Sequence, residues 1–171
     1  MRKKVIGGAV LSVVLFFALP SSAQANSLST IPTEEETGVP IEIYQEAEII
    51  GNEFNICPEL LLAIAERESD FQADATNGSC KGLMQVSIGC HKQRFINAGW
   101  SPEDWADSYK NMYVAGEYLH ELFEEYEDVA TVLAIYHGER NAVQKTRNGK
   151  LSGYVLDILS RSEELERVHG K

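Results

Sequence analysis

Basic residues are scarce in this chain. Fifteen Lys and Arg stand against 26 Asp and Glu, for a formal net charge of −11. Nucleic-acid binding needs clustered Lys and Arg, so that function class is excluded, as is adhesion to anionic lipid or anionic wall polymers. Long apolar runs are also lacking. The longest, "VIGGAVLSVVLFFAL" from Val5 to Leu19, is short of the ~20 residues a comfortable membrane span requires. No Cys and His spacing resembles a zinc site, and no metal or cofactor is implied. No useful stretch alternates apolar and polar residues as a half-buried strand would, and no repeat recurs at a solenoid period.

What is present begins with the basic residues Arg2, Lys3 and Lys4, the short apolar run, and "PSSAQA" ending in Ala23-Gln24-Ala25. This order reads as a secretory signal peptide of residues 1–25, cut after Ala25; an uncleaved segment would instead anchor the chain. The plain signal and the short basic start point to a bacterium and to a secreted, extracellular protein. Cleavage leaves 146 residues with a formal charge of −14, enough for one domain with a real core. Residues 26–39, polar and without a period, read as a flexible lead-in. From Pro40 to Lys171 the periodicity is helical: Ile43, Ala47 and Ile50 share one face, and Met112, Ala115, Leu119, Leu122 and Tyr126 another. Pro58, Ser101 with Pro102, and Asp128 mark helix starts, and Gly138 a stop. The predicted fold class is all-α, one domain of five or more helices.

"LLLAIAERESDFQADA", Leu60 to Ala75, begins as an apolar helix and ends in four charges: Glu66, Arg67, Glu68 and Asp70. Helical spacing stacks Glu68 over Ala65, Ile64 and Leu61, continuing the apolar stripe. Glu66 stacks over Ala63, Leu62 and Glu59, a more mixed row. An apolar surround disfavours the charged form of a carboxyl and keeps its proton available for acid catalysis. On residue chemistry alone a solvated helix end competes with this reading.

"ERES", then "GLMQ", "NMYVAGEYL" and "AIYHG" stand in order along the chain. Together they resemble the lysozyme-like lytic transglycosylases, most closely the small single-domain forms of Gram-positive bacteria and their mobile elements. The resemblance covers roughly Pro40 to Lys171. It implies a lysozyme-like fold and a peptidoglycan lytic transglycosylase of residues 40–171, with glycan strands as substrate. Glu68 falls at the family's catalytic acid. It would protonate the oxygen between N-acetylmuramic acid and N-acetylglucosamine, then act as base on the substrate's own C6 hydroxyl to close a 1,6-anhydro ring. Ser69, Gly82, Leu83, Met84 and Gln85 would line the cleft, with Gln85 bonding substrate.

Tyr136 matches a family tyrosine whose hydroxyl could orient the acid. His137 stands where the family has Asn; as a substrate-binding candidate its imidazole could donate to a sugar or a carbonyl. Asn111 would bond backbone near the cleft. Taken singly, Leu83 and Met84 read as core; His91, after Cys90, could face the cleft, with a surface histidine as the default reading. Trp100 and Trp105 read as core at least as readily as sugar platforms. Three cysteines survive cleavage, and the residues leave their pairing open; the resemblance implies Cys57–Cys80, with Cys80–Cys90 as the alternative. A muramidase that hydrolyses the same bond remains open, with Asp70 or Asp74 as second acid, as does a catalytically silent wall-binding or assembly protein. Secretion or conjugation machinery is a partner by analogy, and the chain is read as a monomer.

Overall fold

Pro58 fixes the first helical turn of the central element. In the computed structural model, which describes residues 33–171, helix α3 runs Pro58–Ser69 behind Cys57 and ends at Asp70, whose backbone is left-handed. Every residue from Glu59 to Ala65 is buried. Such a helix is wrapped on all sides: by α2 (Ile41–Phe54), by α8 (Gly153–Val168) and, beyond α2, by α5 (Ser108–Glu125). The α2–α5 crossing is close because position 116 lacks a side chain. A Cβ on Gly116 would stand 2.9 Å from Ile50 Cγ2 and 2.9 Å from the Phe54 ring.

Around this layer lie α1 (Glu34–Thr37), α4 (Ile88–Asn97), α6 (Val129–Tyr136) and α7 (Ala142–Arg147). The expected stripes are the buried ones: Ile43, Ala47 and Ile50 on α2, and Met112, Ala115, Leu119 and Leu122 on α5. Asp128 caps α6 by accepting from the Thr131 amide at 3.0 Å. The fold is all-α, as the helical periodicity predicts.

Four local features differ from the sequence reading. Residues 33–39, read as flexible lead-in, carry the short α1, closed by a capping box between Thr33 and Glu36, and Thr37 and Val39 are buried. Arg161 of α8 fastens this segment by donating to the Thr37 carbonyl at 2.6 Å. Ser101 caps only a 3-10 turn, Pro102–Ala106; Asp107 then starts α5 by accepting from the Lys110 amide. The α4 and α7 helices fall in stretches to which the sequence assigns none. Two-residue strands β1 (Thr76–Asn77), β2 (Cys80–Lys81) and β3 (Val86–Ser87) form an antiparallel sheet. The expected signal peptide, residues 1–25, and residues 26–32 of the expected lead-in lie outside the described residues.

The expected Cys57–Cys80 disulfide is corrected. All three cysteines are free thiols. Cys57 stands at the start of α3, ~16 Å along the helix axis from Glu68. Cys80 lines the cleft into which Glu68 opens. A disulfide needs Cα atoms within about 7 Å. The Cys57 thiol instead donates to Glu59 at 2.8 Å.

Glu59 is fully buried, and it also receives His169 Nδ1 and, at 2.7 Å, Lys171 Nζ. Burial works against its charge, but hydrogen bonds from Cys57, Lys171 and His169 outweigh it and hold the carboxyl at about 2. The chain end is thereby clamped to the start of α3. A depressed carboxyl stabilises the fold fully above its ordinary value of 4.5 and loses that contribution as pH falls toward 2. Denaturant melts should therefore weaken by about 3 kcal/mol between pH 6 and pH 2 through this group. Glu59→Gln should lose a similar amount at pH 6 and show a shallower acid dependence. An unchanged acid dependence in Glu59→Gln would assign the loss to other carboxylates.

Candidate active site

Glu68 lies one residue before the end of α3, and Leu61, Ile64 and Ala65 beneath it are fully buried. Its carboxyl is half-buried and opens into a cleft of about 300 Å³, with β2, β3, α5 and the end of α6 around it. Burial raises the Glu68 pKa above the ordinary carboxylate value, against opposing effects of the Tyr154 hydroxyl, His137 and Arg67. Tyr154 Oη donates to Glu68 Oε1 at 2.6 Å. The other carboxylate oxygen has no protein partner among the described residues.

Tyr154 has no place in the sequence reading. It sits in the first turn of α8, where the Ser152 hydroxyl caps the helix by accepting from the Val155 amide. Its ring is buried and stacks on His137, centroids 3.8 Å apart and planes 14° apart. Its hydroxyl is pushed far above the ordinary tyrosine range, by burial first and then by Glu68. It stays protonated and can only donate to the carboxylate.

The role expected of Tyr136 is thus corrected. Tyr136 Oη donates to the Met84 carbonyl at 2.8 Å, bracing the cleft wall rather than Glu68. His137 is exposed at the cleft, where its ring covers Tyr154.

The "GLMQ" strip divides by role. Leu83 and Met84 are fully buried, so their side chains belong to the core and not to a sugar surface. Ser69 is buried too; its hydroxyl donates to the Leu83 carbonyl at 2.7 Å and ties the strip to α3. Gly82 has φ +82, and a Cβ there would stand 2.2 Å from Asn111 Nδ2. That space is taken by Asn111, fully buried, which accepts from the Met84 amide at 2.8 Å and donates to the Lys81 and Trp105 carbonyls at 3.0 and 2.9 Å. The reading of Asn111 as a backbone-bonding residue agrees with this geometry.

Gln85 alone of the strip presents its side chain to the cleft. Its backbone is left-handed, φ +48, which a side chain normally avoids. Both amide protons are engaged, by the Ala75 and Gly82 carbonyls at 3.1 and 2.9 Å. Only Oε1 remains, so Gln85 can accept from a ligand but not donate.

The other acids are elsewhere. Glu66 pairs with Arg161 at 2.6 Å, and Asp70 and Asp74 are exposed. Among the described residues, Glu68 is the one carboxylate lining the cleft. Trp100 packs edge-on to Tyr113, and Trp105 lies under Lys81; neither lines the cleft. His91, read as a surface histidine, does line it, together with Tyr118.

A family profile described as the transglycosylase SLT domain matches residues 46–152, more than half of the chain. The match stops two residues short of Tyr154. A protein of Enterobacteria phage PRD1 named "Transglycosylase" is 29% identical over 90 residues, which is 52% of this chain and 32% of that protein. The matched stretch thus spans about a third of that relative. On a profile match of this extent, with the all-α frame built around it, the chain belongs to the transglycosylase SLT domain family.

Proposed function

We propose that this protein is a secreted peptidoglycan lytic transglycosylase in which Glu68 serves first as acid and then as base. The supporting observation is a single half-buried carboxyl in the cleft, one oxygen held by Tyr154 and, among the described residues, no second carboxylate lining the cleft. Two-carboxylate hydrolysis, retaining or inverting, needs a second acid at ~5–9.5 Å. In the proposed cycle Glu68 gives its proton to the oxygen linking N-acetylmuramic acid to N-acetylglucosamine, and the bond from C1 to that oxygen breaks. The resulting carboxylate, opposite the positive charge at C1, then takes the proton of the C6 hydroxyl. The C6 oxygen closes on C1 and leaves a 1,6-anhydro end. No water is consumed, and Glu68 ends protonated as it began. Export rests on the N-terminal segment, and the setting is the bacterial wall. Mass spectrometry of peptidoglycan digested by the purified protein should find anhydro ends. Products heavier by one water would make it a muramidase instead.

The first step needs the protonated acid. Because burial raises the Glu68 pKa, activity should extend toward neutral pH and fall as pH rises through that value. Tyr154 bonds the charged form and lowers the pKa, so Tyr154→Phe should move this basic limb upward. The same variant loses the bond that aims the carboxyl, and its maximal rate should drop about 10–100-fold. An unmoved limb in Tyr154→Phe would remove Tyr154 from the site.

A further inference from the structure

We propose that His91 is a substrate-binding residue whose Nε2–H donates to a neutral carbonyl oxygen of the peptidoglycan substrate. The inference deepens the transglycosylase reading and rests on it. His91 lies in the first turns of α4 and lines the same cleft as Glu68 and Gln85. Its ring is fixed from two directions. Arg94 Nε, which can only donate, gives its hydrogen to His91 Nδ1 at 3.2 Å. The Tyr118 ring lies against the imidazole, centroids 4.6 Å apart.

Arg94 is itself immobilised. Its guanidinium bonds both carboxylate oxygens of Glu121, reaches Glu117 at 3.2 Å, and stands 5.5 Å over the Tyr118 ring. A nitrogen that accepts from Arg94 carries no proton, so the neutral ring carries its one proton on Nε2. Burial, and then the Arg94 charge, lower the His91 pKa and keep the ring neutral. Nε2 has no hydrogen-bond partner among the described residues. The cleft therefore holds a pre-oriented, uncharged donor in His91 and a pre-oriented acceptor in the Gln85 Oε1. An N-acetylated sugar chain offers the complement of both, an acetamido C=O and an acetamido N–H. Stem peptides offer carbonyls as well.

The test uses the full chain in three arms. Long-range nitrogen–proton NMR of the wild type should find His91 as the Nε2–H tautomer; the Nδ1–H tautomer overturns the proposal. Binding is then measured with Glu68→Gln, which does not turn over, against an N-acetylchitooligosaccharide, peptide-free glycan strands and peptide-bearing muropeptides. Adding His91→Ala should weaken binding about tenfold, the worth of one hydrogen bond, and His91→Gln should recover part of it. Weakening toward all three ligands assigns the acetamido carbonyl, and weakening toward the peptide-bearing ligand alone assigns a stem-peptide carbonyl. Unchanged affinity for every ligand in His91→Ala overturns the proposal. Failure of the underlying reading looks different: Glu68→Gln itself would bind no glycan and the wild type would release no muropeptides, which overturns both.

Discussion

Glu68→Gln is expected to keep the fold and glycan binding and to lose nearly all cleavage. The amide matches the carboxyl in shape and can still accept from the Tyr154 hydroxyl. It can neither deliver a proton to the leaving oxygen nor take one from the C6 hydroxyl, so both halves of the cycle fail together. A positioned acid or base is worth ~10²–10⁴ in rate, and in the proposed cycle one group serves twice. Folding should not suffer, because burial already works against the Glu68 charge; the melting temperature should stay level or rise. Glu66→Gln is the control. It breaks the ion pair with Arg161 but leaves the cleft untouched, so it should retain most activity. Muropeptide mass spectrometry reads both. Anhydro products released by Glu68→Gln at the wild-type rate would end the assignment.

Asn111→Ala should be the most damaging substitution for stability near the site. One buried amide satisfies the Met84 amide and the Lys81 and Trp105 carbonyls. Truncation leaves these buried backbone groups without partners at ~1–3 kcal/mol each, a loss of about 4 kcal/mol by urea unfolding. Activity should fall as well, because the strip carrying Gln85 hangs on the same bonds. The two effects separate on titrating denaturant: the activity loss should persist where the variant is still fully folded. A loss under 1 kcal/mol would mean that water replaces the amide in place. Asp would be a poor rescue, since it keeps the acceptor for Met84 but offers no donor for the two carbonyls.

The sequence singled out Glu68 as the candidate acid, but its stripe argument was incomplete. The row beneath Glu66, which includes Glu59, is as buried as the row beneath Glu68, because α3 is wrapped on every side. What separates the two carboxyls is their partners on α8: Arg161 pairs with Glu66 away from the cleft, and Tyr154 holds Glu68 at it. Neither partner is close in sequence, so no local pattern could assign them. The one available signal for Tyr154 was an aromatic residue in the first turn of a helix behind the Ser152 cap, which is equally the mark of a core tyrosine. Gly82 and Asn111 show the opposite case. Their motifs were legible, and the structure adds that each occupies space the other leaves free.

Sequence by itself determined the all-α class, the main helix starts and the catalytic candidate. Those follow from local chemistry: proline and side-chain caps at helix starts, 3.6-residue periodicity, and a carboxyl at the end of an apolar helix. Tertiary structure alone decided which side chains meet. It put Leu83, Met84 and Ser69 into the core, turned Tyr136 toward the Met84 carbonyl, brought Tyr154 and His91 to the cleft, and separated Cys57 from Cys80. The reason is distance along the chain. Tyr154 lies 86 residues from Glu68, and Asn111 lies 27 from Met84. Contacts of that range form only when whole helices pack, and packing is decided by the sum of many buried surfaces rather than by any one motif.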